Sequence, residues 1–173
     1  MMKSFIDPEE VLDQFILRSD MIAAEFGCGS GGFAIPLAQR LDEGLVYGID
    51  ILQEPLSALK SRCLVENITN VKPILSNLEK ERGSTLHEQT VDLVFIPNVL
   101  FQIEDKNAII SEAARILKKQ GRLIVIDWLP NAGQGPEEKV SPDEVKELAK
   151  KDFKLEKEFK AGKFHYVLIF EKI

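Results

Sequence analysis

The chain has 173 residues, of which 45% are hydrophobic, and it carries a formal net charge of −6. This length is typical of one compact domain, and the hydrophobic content is sufficient for a substantial core. The acidic balance disfavours a nucleic-acid partner, which would normally need a basic face. No apolar run approaches the roughly 18 residues of a membrane helix, and the amino terminus lacks the apolar stretch of a secretory signal.

The two cysteines bear on the environment in which the protein works. Cys28 and Cys63 are the two cysteines, and they form neither a metal-ligand spacing nor a disulfide pattern. We therefore expect a cytoplasmic protein in a reducing environment, with no metal site.

Helical and extended patterns alternate along the chain. Asp7, Pro8 and Glu10 form a capping-box start, and the apolar residues after them recur at helical intervals, which predicts a helix over 8–18. The remaining predicted helices span 32–41, 55–67, 107–117 and 141–151. The predicted strands span 21–26, 44–50, 71–75, 91–96, 122–128, 153–159 and 163–171. The polar stretch 76–90 and the Pro- and Gly-rich stretch 130–140 are predicted loops.

The first five strands are mostly continuous apolar runs separated by helices, which is the pattern of a parallel sheet covered on both faces. The last strand follows the short connection 160–162, so it runs antiparallel to its predecessor. We expect an α/β, Rossmann-like three-layer sandwich with a mostly parallel seven-stranded sheet and an antiparallel terminal strand. One domain would span 1–173, in which an N-terminal helix (1–19) covers the site and 20–173 form the core.

A glycine-rich turn follows the first strand. Gly27, Gly29 and Gly32 fit G-x-G-x-x-G, and Asp50 lies about 20 residues further on, as the dinucleotide fingerprint expects. A nicotinamide or flavin enzyme is therefore one interpretation. Glu25, immediately before the glycines, would face the pyrophosphate of a dinucleotide unfavourably and would suit a positively charged ligand. The terminal hairpin also stands where such an enzyme would more often have a second nucleotide-binding half.

Four segments together resemble the class I S-adenosylmethionine-dependent methyltransferases, particularly the type 11 group similar to the ubiquinone/menaquinone C-methyltransferases. In the family's order and spacing they cover roughly residues 20–128. They are EFGCGSG (25–31), VYGID (46–50), VDLVFIPNVL (91–100) and AARILKKQGRL (113–123).

The resemblance implies a role for each matching position. Glu25 would help to place the methionine end of S-adenosylmethionine, Asp50 would accept hydrogen bonds from the ribose hydroxyls, and Asn98 would lie near the reacting methyl group. Asn77 stands where the family commonly has an Asp that contacts adenine; its amide oxygen can accept that bond without charge, or it can form a local turn. The cofactor-binding set implied in this way is Glu25, Gly27, Cys28, Gly29, Ser30, Gly31, Asp50, Ile51, Asn77, Leu78, Pro97 and Asn98.

The acceptor side is less defined by the sequence. Phe101, Gln102 and Trp128 are the candidates for substrate contact, and no residue is identified as a catalytic base. The amine-methylating signature Asn-Pro-Pro-Tyr is absent after strand four, where the sequence 96–99 is Ile-Pro-Asn-Val. This disfavours methylation of exocyclic base amines or glutamine.

The sequence therefore predicts methyl transfer from S-adenosylmethionine, with S-adenosylhomocysteine as product, to a small or medium-sized molecule. Two alternatives remain: an NAD(P)-binding oxidoreductase and a non-catalytic S-adenosylmethionine-binding regulatory protein. A homodimer could complete an open pocket.

Overall fold

The computed structural model describes residues 6–173, so the first five residues of the predicted covering segment 1–19 lie outside the described residues. The strands are β1 (Ile22–Phe26), β2 (Leu45–Asp50), β3 (Val71–Leu75), β4 (Val91–Pro97), β5 (Leu117–Trp128), β6 (Phe153–Ala161) and β7 (His165–Lys172). The α-helices are α1 (Pro8–Leu12), α2 (Ala34–Arg40), α3 (Gln53–Val65), α4 (Lys106–Ile116) and α5 (Pro142–Ala149). A 3₁₀ turn spans Leu100–Gln102.

The strands form one sheet in the order β3-β2-β1-β4-β5-β7-β6. Strands β1 to β5 pair in parallel, whereas β7 runs antiparallel to both of its neighbours, β5 and β6. The predicted seven-stranded, mostly parallel sheet with an antiparallel terminal strand is confirmed. The strand order reverses between β1 and β4, which is where open α/β sheets bind ligands beyond the carboxyl ends of the strands.

Two apolar layers cover the sheet. Helices α4 and α5 pack on one face through residues such as Ile109, Ala113 and Val145, whereas α1, α2 and α3 pack on the other through residues such as Leu12 and Leu37. Because strand side chains alternate between faces, β1 directs Ala24 and Phe26 to the first layer and Ala23 and Glu25 to the second. The three-layer sandwich is thereby confirmed, and it places a carboxylate among apolar residues.

Helix α1 is shorter than predicted. It ends at Leu12 rather than at residue 18, and beyond it Ile16 is 84% exposed. The chain after α1 instead brings the Phe15 ring to 6.1 Å from that of Phe95, so packing on the sheet takes precedence over the helical periodicity. Whether the segment 1–19 covers the site remains a prediction.

The junction of α4 and β5 also differs from the prediction, because β5 begins at Leu117 rather than at residue 122. Gln120, not Gly121, takes the left-handed conformation, with a φ of 63°. A Cβ on Gly121 would lie 2.9 Å from the Lys118 carbonyl oxygen and 3.0 Å from that of Asp92. Gly121 is therefore required by close backbone approach.

The stretch 76–90 contains turns without helix or strand, as predicted, and a buried polar network anchors it to α4. Glu112 is 5% exposed and accepts hydrogen bonds from the backbone N–H and hydroxyl of Ser84. Arg115 donates to both Glu112 oxygens, at 2.7 and 2.8 Å, and to the carbonyl oxygen of Leu86 at 2.8 Å. Burial opposes ionisation of Glu112, but these donors outweigh it and lower the pKa of its carboxyl group.

Within residues 6–173, no helix has the length and apolar character needed to cross a membrane. The same described range contains no group of three or more His, Cys, Asp or Glu side chains arranged to hold a metal ion.

We predict that Glu112→Ala lowers the free energy of unfolding by about 3–5 kcal/mol, because it leaves a poorly solvated guanidinium and the Ser84 donors without their acceptor. Glu88→Ala is the matched control: its pair with Arg82 is exposed on both sides, so the loss is below about 1 kcal/mol. Urea unfolding of both variants measures the difference. Equal losses would contradict an anchoring role for Glu112.

Candidate active site

The glycine turn between β1 and α2 is fastened to the end of β2. The backbone N–H groups of Gly27 and Cys28 both donate to the carbonyl oxygen of Ile49, at 2.8 and 3.0 Å. Gly27 has a φ of 70°, and a Cβ there would lie 2.5 Å from a methyl carbon of Val99, so only glycine fits. Gly29 has a φ of 53°, but no atom lies within 4 Å of the position of a Cβ. Its backbone therefore faces open space in which a ligand can approach closely.

Asp50, the last residue of β2, is held by the backbone on both sides. Its Oδ2 accepts from the N–H of Gly29 at 2.9 Å, and its Oδ1 accepts from the N–H of Leu52 at 3.0 Å. Each oxygen retains a second lone pair, so the fixed carboxylate can still accept two hydrogen bonds from a ligand.

A cavity of about 430 Å³ opens at this carboxyl edge, within the range of small-molecule sites. Its walls come from four connections: the glycine turn, the start of α3, the loop after β3 and the segment after β4. The lining residues are Gly27, Gly29, Asp50, Ile51, Leu52, Pro55, Ser76, Asn77, Leu78, Glu79, Asn98, Val99, Gln102 and Ile103. Ile51 and Leu52 are each 59% exposed, which leaves apolar surface beside the Asp50 carboxylate.

Asn77 uses its side chain in a local turn, because its Oδ1 accepts from the backbone N–H of Glu79 at 2.9 Å. The same oxygen retains a lone pair, and Asn77 lines the cavity beside Leu78. Both readings of Asn77 from the sequence are therefore compatible, and adenine contact stays a prediction.

Glu25 lies under the start of α2 rather than in the cavity wall. It is 2% exposed, and its Oε2 has no hydrogen-bond partner. Burial raises the pKa of its carboxyl group well above the usual value, although backbone N–H groups of Ala34 and Phe33 partly offset the effect and Asp50 adds to it. An approaching cation would stabilise the ionised form of this group.

Buried polar atoms without partners concentrate at this edge of the sheet. Beyond Glu25, they are Oδ1 of Asn98, Oδ2 of Asp127 and both ring nitrogens of His165. These residues stand at the carboxyl ends of β1, β4 and β5 and at the amino end of the antiparallel β7. Such atoms are few in folded proteins and call for an explanation. Of these residues, Asn98 lines the cavity, where a ligand can reach it, whereas Asp127 and His165 are fully buried. The one other such atom among the described residues, Nη1 of Arg115, belongs to the α4 network.

The β5–β7 end of this row is aromatic. The rings of Trp128 and His165, which are paired in the sheet register, lie 4.3 Å apart between centroids. Burial lowers the pKa of His165 to about 4, so the imidazole is neutral at physiological pH. Burial also raises the pKa of Asp127 to about 6. The backbone N–H of Trp128, which donates to Oδ1 of Asp127 at 2.8 Å, opposes this rise.

The predicted residues therefore fall into two sets. Gly27, Gly29, Asp50, Ile51, Asn77, Leu78, Asn98 and Gln102 line the cavity, whereas Glu25, Cys28, Ser30, Gly31, Pro97, Phe101 and Trp128 lie outside its lining. Cys28 is buried, and burial raises the pKa of its thiol, which suits a packing residue.

Six lining residues were not predicted. Leu52 and Pro55 come soon after Asp50 in the chain, so their proximity to the cavity could have been inferred from that candidate. Val99 lies within the matching segment 91–100, but no role was assigned to it, and Ile103 lies beyond that segment. The remaining two are Ser76 and Glu79, which flank the adenine-side candidates.

Comparison with known proteins identifies chains of similar fold and sequence. A crystal structure of an S-adenosylmethionine-dependent methyltransferase from Aquifex aeolicus superposes with a TM-score of 0.86 and 25% identity, covering 98% of this chain and 91% of that one. A demethylmenaquinone methyltransferase of Lactiplantibacillus plantarum is 26% identical over 124 residues, which are 69% of this chain and 50% of the relative. A phosphoethanolamine N-methyltransferase of Triticum aestivum is 25% identical over 134 residues, which are 78% of this chain and 26% of the relative.

The fold is that of the S-adenosylmethionine-dependent methyltransferases. A model of the methyltransferase domain matches residues 17–171, and the chain belongs to this family. It spans half or less of the length of the curated relatives that it matches.

The cavity fits S-adenosylmethionine chemically. The open space over Gly29 admits a ligand against the backbone, and the Asp50 carboxylate has two free acceptor positions for a diol. A cationic amino acid group that binds near the unpaired Oε2 of Glu25 would favour the ionised form of this carboxyl group, which then supplies the opposite charge.

We predict a pH-dependent effect of Glu25→Gln on stability. Because the pKa of Glu25 is raised in the folded state, the unfolded chain ionises first as the pH rises above about 4.5. Wild-type stability falls through that window, whereas Gln carries no titrating proton. The free energy of unfolding of Glu25→Gln relative to wild type should therefore increase as the pH rises from about 4 toward 8.

Chemical unfolding at several pH values measures this trend. The matched control is Glu138→Gln, which makes the same substitution at an exposed position. A difference between Glu25→Gln and wild type that stays constant with pH would contradict the buried, neutral state of Glu25.

Proposed function

We propose that this protein binds S-adenosylmethionine in the cavity at the carboxyl edge of the sheet and transfers its methyl group to a small or medium-sized molecule. The observation that carries the proposal is the Asp50 carboxylate, fixed by Gly29 and Leu52 at the rim of the cavity. A pre-oriented carboxylate at the end of the second strand suits the two hydroxyl groups of a ribose.

The cofactor would lie across the edge in a defined direction. Asn77, Leu78 and Ile51 would contact the adenine, and Asp50 would accept from the ribose. The glycine turn, with Cys28 and Ser30, would pass close to the methionine end, where the bound cation would favour the ionised form of Glu25. Pro97 and Asn98 would border the methyl group.

Bound S-adenosylmethionine supplies an electrophilic methyl group on a sulfonium centre. The protein's task is then to orient the nucleophile in line with that group and to exclude water. Phe101, Gln102 and Trp128 are the proposed acceptor contacts, with walls from 8–18, 97–105 and 129–140. We also propose that the segment 1–19 covers the site and that a second copy of the chain completes the pocket.

The chemistry of the acceptor end favours an uncharged target. We place the acceptor beside Trp128, whose ring lies against that of the buried, neutral His165, and burial is the cause of the lowered pKa of this imidazole. A carbon or oxygen of a small organic molecule fits this setting better than a phosphorylated amine. We further propose a cytoplasmic location and no nucleic-acid partner, in keeping with the net charge of −6.

Two other functions make different predictions. A nicotinamide oxidoreductase would bind NADH, whereas the proposed enzyme binds S-adenosylhomocysteine and not NADH. A regulatory S-adenosylmethionine-binding protein would bind the cofactor without ever forming S-adenosylhomocysteine across a broad panel of acceptors. Calorimetry with the two ligands, followed by product detection with that panel, separates the three.

We predict that Asp50→Ala weakens binding of S-adenosylhomocysteine by about 2–4 kcal/mol, because two hydrogen bonds to a charged acceptor are lost. Asp50→Asn, which keeps one acceptor oxygen, should lie between this variant and wild type. Asp42→Ala removes the same charge at an exposed position and serves as the control. Calorimetric titration of folded variants gives the affinities, and unchanged binding by Asp50→Ala would refute the ribose assignment.

A further inference from the structure

Glu79 joins two walls of the cavity that belong to different parts of the chain. It lies in the loop after β3, three residues before the left-handed Arg82, and it is half-buried at the cavity margin. Its Oε1 accepts from the backbone N–H of Glu104 at 3.1 Å and from that of Asp105 at 2.9 Å. Both donors lie at the end of the segment that follows β4.

On the adenine side, Glu79 is tied to Asn77. The backbone N–H of Glu79 donates to Oδ1 of Asn77, so the side-chain oxygen proposed for adenine contact also fixes the backbone of Glu79. Any ligand that holds Asn77 in place therefore also holds Glu79 in place.

On the acceptor side, the donors lead directly to α4. Oδ1 of Asp105 caps this helix by accepting from the N–H of Ala108 at 3.0 Å, while Gln102 and Ile103, just before the donors, line the cavity. A short path of hydrogen bonds thus runs from Asn77 through Glu79 to the segment that carries Phe101 and Gln102.

We propose that Glu79 is a positioning residue that couples occupation of the adenine side of the cavity to the order of the acceptor-side segment 98–105. The inference rests on the proposed binding of S-adenosylmethionine in this cavity. Glu79 does not act on the reacting atoms; it acts through the Asn77 amide and through the backbone of Glu104 and Asp105.

The property of Glu79 that matters is its acceptor oxygen. Both backbone donors converge on Oε1, so an amide oxygen at the same position can accept the same two bonds. Coupling therefore depends on an acceptor atom and not on the negative charge, although bonds to a neutral acceptor are weaker than bonds to a carboxylate.

Three variants test the proposal. Glu79→Ala removes the acceptor, Glu79→Gln keeps it without the charge, and Glu81→Ala removes a neighbouring exposed carboxylate as the control for charge. The probes are S-adenosylhomocysteine and 5′-methylthioadenosine, which shares the adenosine but lacks the amino acid. Affinity is measured by calorimetry, and amide hydrogen exchange of peptides that contain 102–105 is measured with and without each probe.

We expect Glu79→Ala to bind both probes about tenfold more weakly, because one charged acceptor of two backbone donors is lost. Ligand binding should protect the 102–105 amides in wild type, in Glu79→Gln and in Glu81→Ala, but not in Glu79→Ala. A residue with only a general structural role would lower the melting temperature without removing this ligand-dependent protection.

The outcomes separate this inference from the proposed function. If wild type binds S-adenosylhomocysteine and Glu79→Ala shows the same affinity and the same protection, the coupling role is wrong and the proposed function stands. Loss of coupling in Glu79→Gln to the level of Glu79→Ala would also overturn the requirement for an acceptor atom. If wild type bound neither probe, the proposed function itself would be overturned.

Discussion

The candidate site depends on one carboxylate that two parts of the backbone share. Asp50 accepts from Gly29 on the glycine turn and from Leu52 before α3, so a single side chain fixes the turn against the end of β2. The turn is tied a second time through the Ile49 carbonyl oxygen. Because β2 is itself held between β1 and β3, the ligand-facing backbone is positioned by an internal strand of the sheet and not by a free loop.

Around this fixed point, the sheet places groups of different chemistry in a row. The β2–β3 side offers apolar surface and amide or carboxylate acceptors, while the β5–β7 side offers the Trp128 and His165 rings. Between them, Glu25 and Asn98 carry buried oxygens without partners. A ligand with an adenosine, a cationic centre and a nearby apolar acceptor matches this sequence of environments, which is why the arrangement favours methyl transfer over hydride transfer.

The sheet could be predicted because its information is local: continuous apolar runs, glycine turns and a short final hairpin define strands and direction. The positions of Asp50 and the glycines followed from the same motifs. Helix α1 was predicted too long, since Phe15 gains contact with Phe95, far away in the sequence, by leaving the helical path. Glu79 was missed for the same reason, because its donors at Glu104 and Asp105 lie 25 and 26 residues away and no spacing rule connects them.

The pairing of Trp128 with His165 has an optical consequence. Trp128 is the single tryptophan of the chain, so all of the indole emission comes from the boundary between β5 and β7. Because a neutral imidazole lies against the indole, that emission depends on how the two rings pack. The protein thus carries a built-in spectroscopic reporter of the packing between the end of β5 and the start of β7.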